Sequence, residues 1–123
     1  MLKTSLALAV MFLSTPVLAQ DDDNMTQALR AAYCSGSLYA EKNETKDWSN
    51  SLDTILAHYS GIYRLNKQLY QDQRKSLDVI RLDNSYDKGA GDFRQLASGS
   101  NVQDAQTRKQ VSDQQALCRD PKF

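Results

Sequence analysis

Apolar and small residues recur every three or four positions between residues 25 and 40. The members of this stripe are Met25, Ala28, Leu29, Ala32, Tyr33, Gly36, Tyr39 and Ala40. Positions spaced in this way line one face of a helix, so the pattern predicts an amphipathic α-helix over roughly 24–42. Because several members are small, a second helix is expected to approach this face closely.

A longer stripe follows a polar break at 43–46. Its members are Leu52, Ile55, Leu56, Tyr59, Ile62, Tyr63, Leu69, Tyr70, Leu77 and Ile80. The spacing predicts one helix, or two nearly in line, over roughly 47–82, and a continuous helix would be about 54 Å long. The remaining chain is too short to cover it. Either the helix bends at Ser60-Gly61, or its uncovered half packs against a second copy, and we favour the long helix with some self-association.

The segment 83–100 has no sustained periodicity. It contains Gly89, Gly91 and Gly99, together with polar turn residues. Glycine and short polar side chains are typical of turns, so an irregular connection is expected here. Phe93 and Leu96 are its apolar anchors.

A final helix is predicted over 101–119. It is rich in glutamine and weakly apolar, with Val102, Ala105, Val111, Leu117 and Cys118 along it. No segment alternates polar and apolar residues over a length that would predict a β-strand. The expected fold is all-α: a small bundle of three or four helices with one long amphipathic helix and one disulfide.

The first 19 residues have the organisation of an export signal. Lys3 precedes an apolar run over 5–13, a break at Ser14-Thr15-Pro16, and small residues at Val17 and Ala19. This order predicts a signal peptide over 1–19, cleaved after Ala19, which leaves one domain over 20–123 in the periplasm or outside the cell. The apolar run is shorter than the roughly 20 residues that cross a bilayer, and the mature chain offers no other span.

Charge excludes two classes of partner. The whole chain carries 15 basic and 15 acidic residues, and Lys3 is the only charged residue within the predicted signal. The mature chain is therefore nearly neutral, whereas nucleic acid and anionic lipid both require a basic surface. We expect no nucleic-acid partner.

Two cysteines, Cys34 and Cys118, allow a single intramolecular pairing. In an exported chain an even number of cysteines indicates a disulfide, and so large a loop would contribute about 4–5 kcal/mol in the chain-entropy account. Two free thiols or a metal pair are the alternatives, but one histidine and two distant cysteines are a poor ligand set. The bond would fasten the weak last helix to the first.

The candidates for metal or cofactor binding are weak. The segment 83–94 resembles a calcium loop, but Lys88 and Arg94 stand where that motif needs glycine and a bidentate glutamate. A solvated loop is expected instead. A glycine-rich loop binds phosphate when it connects a strand to a following helix, and Gly89-Ala90-Gly91 lacks that context. We therefore predict no metal and no cofactor.

The candidates for catalysis are weak as well. His58 is the only histidine, and Asp53, five positions before it, fits one helical face poorly. Glu41 and Glu44 could form a carboxylate pair, but a solvated helix end is expected there. We predict no catalytic residue.

Aromatic residues form the most interesting group. Tyr59, Tyr63 and Tyr70 share one stripe of the long helix, and Trp48 stands near its start. Two more tyrosines, Tyr33 and Tyr39, lie on the first helix. Tyrosine and tryptophan are enriched where proteins meet, so the predicted partner-binding residues are the four on the long helix: Trp48, Tyr59, Tyr63 and Tyr70. Packing of the tyrosines in the core is the alternative.

Together these features favour an exported, non-enzymatic, protein-binding protein of the bacterial cell envelope, such as an inhibitor, immunity factor or adaptor. One alternative is a self-associating structural protein of the periplasm, with a homodimer as the simplest form. Another is a small ligand-binding protein or hydrolase with a pocket formed by tyrosines and His58.

Overall fold

A computed structural model describes residues 2–46, 49–98 and 105–120, with side chains over 24–46, 49–97 and 105–120. Within these residues four helices follow one another: α1 (Leu2–Thr45), α2 (Asn50–Asp72), α3 (Ser76–Ser98) and α4 (Ala105–Cys118). The described residues contain no strand. The predicted all-α bundle with a Cys34–Cys118 disulfide is confirmed.

The predicted helix over 47–82 is wrong, because a tight turn divides it. α2 ends at Asp72 and α3 begins at Ser76. Between them Arg74 adopts a left-handed backbone conformation (φ 58°), and the Lys75 amide donates to the Tyr70 carbonyl at 2.8 Å. The chain therefore reverses, and α3 returns along α2. Ser60 and Gly61 lie within α2, so no helix ends at that pair.

The irregular connection predicted over 83–100 is also wrong over its described part. This segment is helical up to Ser98, and the expected solvated loop at 83–94 is the middle of α3. Ser85 Oγ donates a hydrogen bond to the Leu29 carbonyl of α1 at 2.8 Å. Contact with α1 explains why a glycine-containing segment is helical here.

α1 is the central helix of the bundle. Every residue over 31–38 is buried, because α2, α3 and α4 all pack against it. Two apolar clusters lie along its length. One contains Cys34, Leu38, Leu52, Tyr59 and Cys118, and the other contains Ala28, Tyr70 and Leu82. The predicted helix over 24–42 is confirmed as part of α1, which begins at Leu2 and extends to Thr45.

Two glycines set the distance between α1 and α3. A Cβ atom at Gly36 would lie 2.0 Å from the Tyr86 carbonyl oxygen, and one at Gly89 would lie 2.0 Å from the Tyr33 carbonyl oxygen. The backbones of the two helices are therefore in direct contact. By contrast, a Cβ at Gly61 or Gly91 would meet no atom within 4 Å.

α4 depends on the disulfide. Only Val111 and Cys118 are buried on this helix, and Leu117 is half exposed. Two further contacts hold its end: the Tyr59 hydroxyl donates to the Asp120 carbonyl at 3.0 Å, and Arg119 forms an ion pair with Glu41. Because these noncovalent contacts are few, the Cys34–Cys118 bond is the principal link between α4 and α1.

Alanine at Gly36 or Gly89 should destabilise the fold, whereas alanine at Gly61 or Gly91 should not. At the first two positions the methyl group meets backbone that cannot move without separating the helices, and the loss should be at least about 2 kcal/mol. At the other two, alanine should stabilise the helix by about 0.5–1 kcal/mol. Urea denaturation of the four variants measures both effects. Equal stability of Gly36→Ala and Gly61→Ala would contradict the close contact.

Replacement of both cysteines by serine should release α4 before the rest of the bundle unfolds. The expected loss of stability is about 2–5 kcal/mol. Amide hydrogen exchange should show α4 losing protection while α1 and α3 retain theirs. If the α4 amides of the double variant stayed as protected as those of α1, noncovalent contacts alone would be holding that helix.

Candidate interaction surface

The predicted partner-binding residues occupy different environments. Tyr59 and Tyr70 are buried in the two core clusters, and Tyr59 also makes the bond to Asp120 that closes the end of α4. Trp48 lies outside the described residues. Tyr63 is half-buried at the α2–α3 interface. Of the three tyrosines, it is the least buried.

Tyr63 belongs to a tyrosine cluster that also contains Tyr86 and Tyr39. The rings of Tyr63 and Tyr86 stack, with centroids 5.4 Å apart and planes inclined by 19°. Tyr39, on α1, remains 49% exposed, and its phenol is near enough to raise the pKa of Tyr86. Three helices thus each contribute one tyrosine to this surface.

Tyr63 is held in place by a charged group. Its hydroxyl donates to Asp83 Oδ1 at 2.5 Å, and the same oxygen accepts from Lys67 Nζ at 3.0 Å. Burial and then the Asp83 carboxylate raise the pKa of Tyr63. Burial alone would raise the pKa of Asp83, but the bonds from Tyr63 and Lys67 outweigh it and lower that pKa. Asp83 is therefore a carboxylate at neutral pH, and Tyr63 is a neutral donor.

Two arginines flank the cluster. Burial raises the pKa of Tyr86, as do Tyr39 and Asp87, while Arg64 and Arg94 lower it. Both arginines are exposed, one on α2 and the other on α3. The surface therefore combines aromatic faces, phenolic hydroxyl groups and guanidinium groups, a composition typical of binding surfaces.

A second polar cluster lies between α1, α3 and α4. The Tyr33 hydroxyl donates to Asp92 Oδ2 at 2.8 Å, and Lys88 Nζ reaches the same oxygen at 3.0 Å. Both Tyr33 and Asp92 are buried. Burial, followed by the Asp92 carboxylate, raises the pKa of Tyr33. Because the Tyr33 hydroxyl and the Asp92 carboxylate bond to each other, we interpret this cluster as a structural link between α1 and α3.

The catalytic candidates are not brought together. Asp53 pairs with Lys42 at 2.7 Å, whereas His58 is exposed and meets Tyr59 edge to face. The expected solvation of Glu41 is wrong: this carboxylate is buried and paired with Arg119. Among the described residues, no three His, Cys, Asp or Glu side chains converge as a metal site.

None of the helices in the described part of the chain combines the length and apolar character that a bilayer crossing demands. Comparison of the chain with known protein families, with curated proteins and with solved structures found no match.

The sequence predicts Tyr63 as a binding residue and places Tyr39 on the first helix, but no pattern in it marks Tyr86 as a member of the cluster. Tyr86 falls in the segment 83–100, whose glycines predict an irregular connection. A helical reading of 76–98 places Leu82, Tyr86 and Phe93 on one face, at steps of four and seven. That spacing is the signal that could have found it.

Replacement of Asp83 by asparagine should lower the pKa of Tyr63. The carboxylate favours the neutral phenol, and its removal leaves burial as the main cause of the shift. Because the folded-state pKa is raised, the neutral phenol stabilises the fold below the ordinary tyrosine pKa. That contribution is lost as pH rises through the folded-state value. Alkaline titration followed by NMR of labelled tyrosine rings measures the change.

Asp87→Asn is the matched control for this titration, because Asp87 makes the smallest contribution to the raised pKa of Tyr63. It should shift the Tyr63 titration less than Asp83→Asn does. Equal shifts in the two variants would mean that the bond at 2.5 Å does not govern Tyr63.

Proposed function

We propose that this chain is an exported, non-enzymatic protein of the bacterial cell envelope that binds a protein partner through the tyrosine cluster. The protein classes that fit this proposal are inhibitors, immunity factors and adaptors. The observation that carries the proposal is the stacked pair Tyr63–Tyr86, held by the Tyr63–Asp83 bond. The exposed side chains of Tyr39, Arg64 and Arg94 are near enough to this pair to affect the pKa of Tyr86. No catalytic geometry competes with it among the described residues.

The arrangement of the tyrosines favours binding over simple packing. Tyr63 is fixed on one side by the Tyr86 ring and on the other by Asp83. A side chain that is already ordered loses little conformational entropy when a partner arrives. Tyr39 is the least covered of the three and offers both a ring face and a hydroxyl. Such half-exposed tyrosines supply much of the affinity at protein interfaces.

Export is supported by two features that are independent of each other. Residues 1–19 have the organisation of a signal peptide. The Cys34–Cys118 disulfide is fully buried and joins the two ends of the mature chain, and bonds of this kind persist in oxidising compartments. The periplasm or the extracellular space is therefore the proposed location.

Alanine at Tyr39, or glutamate at Arg94, should weaken partner binding without unfolding the protein. Both side chains are exposed, so the melting temperature should change little. Loss of a central interface residue typically weakens affinity at least about tenfold. The measurement is affinity purification of the tagged protein from envelope extract, with the stoichiometric partner quantified by mass spectrometry for each variant.

His58→Ala is the matched control, since His58 is exposed on α2 but lies outside the cluster. This variant should recover the partner as well as the unaltered chain does. The intact mass of the recovered protein reports export as well, and it should correspond to a chain that begins at Gln20. A partner retained equally by all three variants would place the binding surface elsewhere, and a full-length mass would count against export.

A further inference from the structure

Two short segments beside the tyrosine cluster have the same order of residue types: glycine, any residue, an aromatic residue and arginine. On α2 the order is Gly-Ile-Tyr-Arg over 61–64, and on α3 it is Gly-Asp-Phe-Arg over 91–94. Residues three apart are neighbours on a helix surface. Each arginine therefore lies on the same helix face as the glycine three positions before it.

The glycines of these segments are not needed for packing within the described part of the chain. A Cβ atom at Gly61 or Gly91 would meet no neighbouring atom within 4 Å, whereas one at Gly36 or Gly89 would collide with backbone. Glycine in a helix interior is less stable than alanine, because its backbone loses more conformational freedom on folding. What the two glycines provide for this cost is open space in which the backbone of another polypeptide can approach closely.

The arginines of these segments carry charge that the bundle leaves unpaired. Arg64 and Arg94 are exposed, and neither forms an ion pair with a described residue. By contrast, Arg119 pairs with the buried Glu41. An exposed guanidinium whose donors are free is well suited to a carboxylate, which it can bind through two parallel hydrogen bonds.

Both arginines serve the same surface as the tyrosines. Burial raises the pKa of Tyr86, and each arginine is near enough to that phenol to act against the rise. Two acidic residues also act on these tyrosines. Asp83 already accepts hydrogen bonds from Tyr63 and Lys67, whereas Asp87 is exposed. With Asp83 and Lys67 paired, the two arginines outnumber Asp87, so this surface has an excess of positive charge.

We propose that the partner presents an acidic polypeptide segment to the tyrosine cluster. Its carboxylates pair with Arg64 on α2 and Arg94 on α3, and its backbone lies close to the two helices at Gly61 and Gly91. Unpaired positive charge and open space beside the backbone occur together on both helices, and an acidic segment complements both. This inference rests on the proposed function, because it names the chemistry that the tyrosine cluster would recognise.

Selection of short random peptides on the immobilised, disulfide-bonded chain tests this chemistry. The recovered peptides should be richer in aspartate and glutamate than the unselected library. A synthetic copy of the strongest binder should bind at least about tenfold more weakly to Arg64→Gln and to Arg94→Gln, because each variant removes a charge-assisted bond. Arg74→Gln is the matched control, since Arg74 is an exposed arginine at the α2–α3 turn, and it should bind the peptide unchanged.

Glutamine at Gly61 or at Gly91 gives a second readout with the same peptide. Either variant should be at least as stable as the unaltered chain, because glutamine favours a helix more than glycine does. Each should nevertheless weaken peptide binding at least about tenfold, because the new side chain fills the space that the peptide backbone needs.

Peptides without an acidic excess, or a peptide that binds these four variants as tightly as the unaltered chain, would overturn the inference. Tyr39→Ala separates that failure from the failure of the proposed function. If the recovered peptides lose affinity for Tyr39→Ala, the cluster binds a partner of different chemistry and the proposed function stands. Recovery of no peptide also rules out the acidic segment, and the envelope extract then decides the proposed function on its own.

Discussion

The structure depends on direct backbone contact between α1 and α3 at Gly36 and Gly89. Each glycine lies against a carbonyl oxygen of the opposite helix, Tyr86 and Tyr33 respectively. These two carbonyls belong to tyrosines of the two polar groups described above, so the same contact positions both. The Tyr33–Asp92 bond joins α1 to α3 and requires this helix separation, because a wider spacing would pull its partners apart. The Tyr63–Tyr86 stack joins α2 to α3 and depends on the contact only through the position of Tyr86. The two glycines therefore set both the packing of α1 against α3 and the positions of Tyr33 and Tyr86.

Because α1 is the central helix, some of its polar side chains are buried, and side chains from other parts of the chain pair with them. Burial of eight consecutive residues takes polar groups into the interior along with apolar ones. Ser35 meets Ser60 of α2 at 3.3 Å, and the buried Glu41 pairs with Arg119. A buried carboxylate without such a partner would be strongly unfavourable. The disulfide at Cys118 brings Arg119 to Glu41, so the covalent bond and the ion pair support each other.

Helical periodicity was sufficient to predict the fold class, and the compartment argument was sufficient to predict the disulfide. Periodicity failed at the α2–α3 turn, because Gln73, Arg74 and Lys75 are not turn-forming residues, and Arg74 adopts a positive φ that is unusual for arginine. It also fails at Gly89, because glycine is a typical turn residue and predicts a break in the helix. That residue is a contact between helices, and a single sequence does not distinguish the two roles. The candidate site is predictable only in part, since Tyr63 lies on the helical stripe over 47–82 and Tyr86 lies in the segment whose glycines predict a loop.

The glycine contact also bears on how relatives of this chain can be recognised. Where overall similarity has decayed, most surface and core positions will have been exchanged for chemically similar residues. Gly36 and Gly89 cannot be exchanged in that way, because even a methyl group would collide with backbone at both sites. Divergent chains with this architecture should therefore keep a pair of glycines about fifty positions apart, flanked by two cysteines. A search for that pattern can identify relatives that general sequence comparison does not reach.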